Sequence, residues 1–167
     1  LKCLAIAEKS RKQFWSRNIW RHYTVFKPQK KVYTSKEIQS SFPPEKFKAL
    51  ENMIGASIVN RNIYIEALIH RSFLEENEHF TFSNERLEFL GDSVLNLIIG
   101  EYLFHKFPKE EEGFLTKVRA KMVNRNALSL IAEQLKLGEL LILSSNVPKS
   151  LASSSKSMLS DALEALI

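Results

Sequence analysis

Apolar positions along this chain recur with a helical period, and no segment alternates convincingly apolar and polar, so the pattern predicts an all-α fold. Ser40-Ser41-Phe42-Pro43-Pro44 is a break, and Pro44 suits the first turn of a helix from about Glu45 to Met53 that Gly55 ends. Ile65, Leu68 and Ile69 share one face of a second helix, Ile63 to Phe73, and Glu75 to Phe82 reads as a polar loop. Asn84 is the expected N-cap of the longest helix, which runs to about Lys106. From Val94 it reads Val-Leu-Asn-Leu-Ile-Ile-Gly-Glu-Tyr-Leu-Phe, apolar nearly all round, as a central buried helix would be. Pro108 and Glu110-Glu111-Glu112-Gly113 separate it from a helix over Phe114 to Val123, whose apolar stripe is Leu115, Val118 and Met122. Lys117, Lys121 and Arg125 recur every four residues opposite that stripe. Asn126 to Lys136 continues as helix. Ser144 to Ser157 has seven serines, Pro148 and no strong period, and reads as a mobile loop leading to a last helix.

Charge divides the chain in two. Residues 1–36 hold ten Lys or Arg and one acid, Glu8, a net +9, whereas residues 37–167 hold fourteen basic and eighteen acidic residues, a net −4. Residues 1–42 are therefore read as a basic N-terminal arm and 43–167 as the domain. The arm interleaves its cations with Phe14, Trp15, Trp20, Tyr23 and Phe26. That mixture suits single-stranded nucleic acid, an organellar transit segment, or a tail without ordered structure. Cys3 is the single cysteine, which excludes an intrachain disulfide and a cysteine-based zinc site and fits a reducing compartment. No apolar run reaches the roughly 18 residues of a membrane helix, so no membrane partner is expected. The chain opens on Leu1 and stops at Ile167 inside an apolar helical run, so both ends read as cuts in a longer protein.

The candidate chemistry sits in the longest helix. Glu85, Glu88 and Asp92 stand at i, i+3 and i+7, within an arc of about 60° at roughly 100° per residue. Leu87, Leu90 and Val94 fall opposite. A carboxylate row on a helix is ordinarily a solvated face, but three details set this one apart. The chain uses Glu seventeen times and Asp twice, and both aspartates, Asp92 and Asp161, lie mid-helix near a Glu although Asp is a poor interior helix former. Gly91 costs about 1 kcal/mol relative to Ala in a helix interior, which suggests that something approaches the backbone there. The apolar run that follows implies a packed helix, where carboxylates need water or a cation. Asp161 and Glu164 form a second pair at i and i+3 on one helix face. If the two pairs face each other they build a four-carboxylate cage of hard oxygen donors, a set that selects Mg²⁺ or Mn²⁺ over zinc. His22, His70, His79 and His105 lack ligand spacing, and His70 and His105 read as structural or surface residues.

Glu85-Arg-Leu-Glu-Phe-Leu-Gly-Asp-Ser-Val-Leu95 resembles the signature of the ribonuclease III family, and Asp161-Ala-Leu-Glu-Ala-Leu-Ile167 resembles that family's second acidic motif. His70-Arg71-Ser72 and the segment from Pro108 to Asn124 resemble it in order and spacing. The likeness covers roughly Phe47 to Ile167 and leaves the arm outside. It implies a helical endonuclease domain, incomplete at its C-terminal helix and without the double-stranded-RNA-binding domain that usually follows. It also implies a Mg²⁺-dependent double-stranded-RNA endoribonuclease, with Mn²⁺ able to substitute, that leaves 5′-phosphate and 3′-hydroxyl ends and acts in ribosomal and other RNA processing. Glu88, Asp92, Asp161 and Glu164 match the family's metal-binding catalytic positions, and Glu85 matches an acidic position at the dimer interface and RNA groove. A homodimer is implied, and a cytoplasmic location, or an organellar one if the arm is a transit segment. Beside such an enzyme motif, Lys117, Lys121 and Arg125 become candidate phosphate contacts. A non-catalytic RNA-binding scaffold of the same fold would be marked by loss of a metal carboxylate, and all four are present.

Overall fold

The computed structural model of the protein describes residues 42–167 except His79. All of the arm but Phe42, with Phe14, Trp15, Trp20, Tyr23 and Phe26, lies outside the described residues, as do His22 and His79. Helix α1 spans Pro44–Ile54, opened by Pro44 at its first position and closed by Gly55 in the left-handed conformation at φ 75°. Phe42 and Phe47, both buried, meet edge to face near the N-terminus of the helix, with ring centroids 4.7 Å apart.

The single helix expected over Ile63 to Phe73 is two: α2, Arg61–Leu68, and α3, Arg71–Glu76. Ile69 leaves the helix to form an isolated parallel bridge with Ile142, and the Ile142 amide donates to the Leu68 carbonyl at 2.8 Å while the His70 amide donates to that of Ile142 at 3.0 Å. Burying Ile69 and Ile142 against each other outweighs continuing the helix. His70 then caps α3, its Nδ1 accepting from the Ser72 amide at 3.2 Å.

Helix α4 runs Glu85–Lys106. Asn84 precedes it in a helical conformation and makes no side-chain cap, contrary to the sequence expectation. Asn84 is instead buried, with its amide donating to the Ile69 carbonyl at 2.8 Å, and the Ser83 hydroxyl takes up Glu85 Oε2 at 3.0 Å. Helix α5 is Glu112–Met122 and α6 is Arg125–Gln134. The Asn124 side chain caps α6 by accepting from the Ala127 amide at 2.9 Å, and this junction divides the basic stripe. Lys117 and Lys121 ride on α5, whereas Arg125 opens the next helix.

A 3₁₀ turn at Leu137–Glu139 follows. The serine-rich segment is not the structureless loop expected: it contains α7, Lys149–Ser154, and Ser155 caps α8, Lys156–Leu166. Its first residues are gripped by Glu76. That carboxylate accepts from the Ser145 amide at 2.8 Å, the Ser144 and Ser145 hydroxyls at 2.9 and 3.0 Å, and Asn146 Nδ2 at 2.9 Å.

Helix α8 packs mainly between α4 and α6, and touches α2. Leu50, Leu68, Ile69, Leu103, Leu137 and Leu159 are fully enclosed in the core. Each such side chain contributes roughly 1.5–3 kcal/mol of burial. Helix α4 is central, yet only Gly91, Ile99 and Leu103 of it are buried. Phe89 at 78 %, Leu97 at 61 % and Phe104 at 66 % exposure leave one of its faces open.

Candidate metal centre

Two helices deliver the acids. Helix α4 carries Glu85, Glu88 and Asp92, and α8 carries Asp161 and Glu164. Gly91 lets the helices meet backbone to backbone: it is buried, and a Cβ built there overlaps the Glu164 carbonyl oxygen and lies 2.6 Å from its carbonyl carbon. That is the close approach the sequence position suggested.

The contact sets the acids of the two helices against each other. One carboxylate oxygen from each of Glu88, Asp161 and Glu164 lies within 4.8 Å of the others. Asp92, predicted in the same cage, is outside that set of three but acts on it through its charge. Burial first, then the charges of Asp92, Glu88 and Asp161, push the Glu164 carboxyl up from 4.5 to about 7. Burial, Asp161 and Glu85 likewise raise Glu88. Carboxylates that resist joint ionisation are those a cation relieves. Three hard oxygens suit a small divalent ion such as Mg²⁺, which takes a few carboxylates and fills its other positions with water or phosphate oxygens.

The surroundings position these groups. Asp161 Oδ1 accepts from the Ser160 hydroxyl at 3.1 Å. Arg125 is the cation that lowers the pKa of both Glu88 and Glu164, so its charge acts on the cluster. Read from the sequence as one of a row, it is as exposed as Lys117 and Lys121 but opens α6 rather than riding on α5. His70 is half-buried beside the site. Burial and then Arg71 lower its pKa, against the charges of Asp161, Glu85 and Glu75. Its Nδ1 is engaged by Ser72, as a structural cap requires. Sequence reasoning passed over Ser83 and Asn96. Asn96 lies at i+4 from Asp92, a spacing that was available to read.

Among the described residues no helix is long and apolar enough to cross a membrane. A model of the ribonuclease-III-like family matches residues 60–167. Ribonuclease 3 of Aliarcobacter butzleri is 45% identical over 121 residues, 72% of this chain and 52% of that protein. Ribonuclease 3 of Chlorobaculum tepidum is 51% identical over 111 residues, 65% of this chain and 41% of that protein. The chain thus spans about half the length of these curated relatives or less. Among solved structures, the nuclease domain of ribonuclease III from Campylobacter jejuni, described as flexible in the region involved in dimer formation, superposes with a TM-score of 0.66 at 43% identity, covering 72% of this chain and 80% of that one. A 2.2 Å crystal structure of the same nuclease domain gives a TM-score of 0.64 at 44% identity, covering 71% and 78%. The helical fold is that of these nuclease domains, and the chain belongs to the ribonuclease III family.

Proposed function

We propose that the protein is a Mg²⁺-dependent endoribonuclease of double-stranded RNA. The observation that carries this reading is the convergence of Glu88, Asp161 and Glu164 from two helices, with Asp92 beside them. Glu88, Asp161 and Glu164 would hold the cation, with Asp92 at its edge as a further ligand, direct or through a bound water. When bound, the cation supplies Lewis acidity to the scissile phosphate and its attacking water. Arg125 places a fixed positive charge next to the carboxylates, where it offsets phosphate charge. Lys117 and Lys121 bind the RNA backbone further along, without reading bases. An A-form duplex suits such a surface, because its wide minor groove presents phosphates and 2′-hydroxyls. Hydrolysis leaves 5′-phosphate and 3′-hydroxyl ends.

The exposed face of α4 supports a homodimer in which each subunit contributes one centre to the two strands. Phe89, Leu97 and Phe104 recur at near two-turn spacing along it, and this much apolar side chain on one helix face is characteristic of an interface. Ribosomal and other RNA processing in the cytoplasm is the setting this activity fits. Cleavage of a labelled RNA duplex with Mg²⁺, with EDTA added, and by Glu164→Gln tests the reading. Cleavage is expected with Mg²⁺ alone and only for the unsubstituted protein. Undiminished cleavage in EDTA, or by Glu164→Gln at limiting Mg²⁺, overturns it.

A further inference from the structure

The polar lane of α4 does not stop at Asp92. Glu88, Asp92 and Asn96 follow one another at four-residue steps, so Asn96 stands one turn beyond the last acid on the same face. Its Nδ2 donates twice to a single residue: to the Asp92 main-chain carbonyl at 2.9 Å and to Asp92 Oδ1 at 2.8 Å. Both partners only accept, so the amide nitrogen, with its two hydrogens, must be the atom that faces them. The bond to the helix carbonyl anchors the amide, and the anchored amide then sets where Oδ1 stands.

Asp92 needs such a constraint more than its neighbours do. Glu88, Asp161 and Glu164 are partly buried where the two helices meet, whereas Asp92 is exposed. Exposed and unheld, its carboxylate would sample several rotamers, and its charge would reach the cluster from no fixed point. The charge nevertheless leads those that act on Glu164. Asn is also a weak helix former at an interior position, so local helix stability does not account for it.

We propose that Asn96 is a positioning residue for Asp92: it clamps that carboxylate beside the three converging acids, with one oxygen spoken for and the other left to the cation or its water. The proposal rests on the metal reading above. Partners that hydrogen-bond a ligating carboxylate are typically worth about 10- to 100-fold in metal affinity when lost.

The test titrates Mn²⁺ into the metal-free protein by electron paramagnetic resonance, comparing the unsubstituted chain with Asn96→Leu, Asn96→Ala and Glu164→Gln. Circular dichroism establishes that each variant is folded, and Asn96→Ala decides the matter if the leucine is not tolerated. Both Asn96 variants are expected to bind Mn²⁺ about tenfold or more weakly. In duplex cleavage they should need correspondingly more Mg²⁺ for half-maximal rate, and recover most of the rate at saturating Mg²⁺. Unchanged Mn²⁺ affinity in folded Asn96 variants, with Glu164→Gln impaired, overturns the clamp and leaves the metal reading standing. Unchanged affinity in Glu164→Gln as well overturns the metal reading, and the clamp with it.

Discussion

Gly91 and Glu164 touch through their backbones: the α4 glycine leaves no room for even a methyl group against the α8 carbonyl. The residue that must be small and the residue that carries a site carboxylate are therefore the same contact. Gly91→Ala is expected to push α8 away from α4, lower the melting temperature and separate Glu164 from Glu88. Displacing a catalytic group by about 1 Å can cost on the order of 100-fold in rate. A crystal structure and a single-turnover rate for the variant check this. An unmoved α8 with normal turnover would refute it.

Acidity should govern the metal-free protein in an unusual direction. Glu164 has an ordinary value of 4.5 and rises to about 7 in the fold. Between those values the folded chain holds a proton that the unfolded chain has lost. Its contribution to stability is complete below 4.5 and disappears as pH rises through about 7. Glu88, also raised, acts with the same sign. Melting temperatures of the EDTA-treated protein should fall across this window, and Glu164→Gln should flatten the fall. Added Mg²⁺ should restore stability most at the alkaline end, because the ion and the proton compete for the same oxygens.

Arg125 and Lys121 should separate in their effects although the sequence places them in one row. Lys121→Ala is expected to weaken binding to all duplex RNAs alike and to reduce the salt slope by about one unit. Arg125→Ala should do this and also move the acid limb of the cleavage profile to higher pH, since Arg125 holds down the pKa of Glu88 and Glu164. Rate–pH profiles of the two variants side by side test the distinction; coincident profiles count against it.

Phe89→Asp should break the proposed dimer, because it replaces the most exposed aromatic of the open face of α4, at the N-terminal end of that face, with a charge. Sedimentation at micromolar concentration is expected to show the unsubstituted protein as a dimer and this variant as a monomer. The same mass for both would move the interface elsewhere.

Legibility in the sequence followed the range of the forces involved. The α4 acids, the small residue among them and the Gly55 stop are local signals, and each could be read from neighbours three or four places away. The break at Ile69 could not, because its cause is Ile142, far along the chain. The order in residues 144–146 was equally hidden: it comes from Glu76, which looks like one more acid in a polar stretch. Arg125 was misplaced for a different reason. A four-residue charge period runs straight through Asn124, and periodicity alone does not register the cap that ends one helix and starts another. The three-and-one arrangement of the acids depends on side-chain rotamers, which no spacing specifies.

The docking of α8 on α4 also has a consequence in time. Glu88 is followed by more than seventy residues before Asp161 and Glu164 appear. During synthesis the first acids leave the ribosome long before their partners exist, and α4 can fold with its carboxylates solvated and apart. The charge cluster forms only when α8 arrives. On the proposed reading, a chain still being made thus has no assembled metal centre, and the docking of α8 on α4 is the step that brings the acids together.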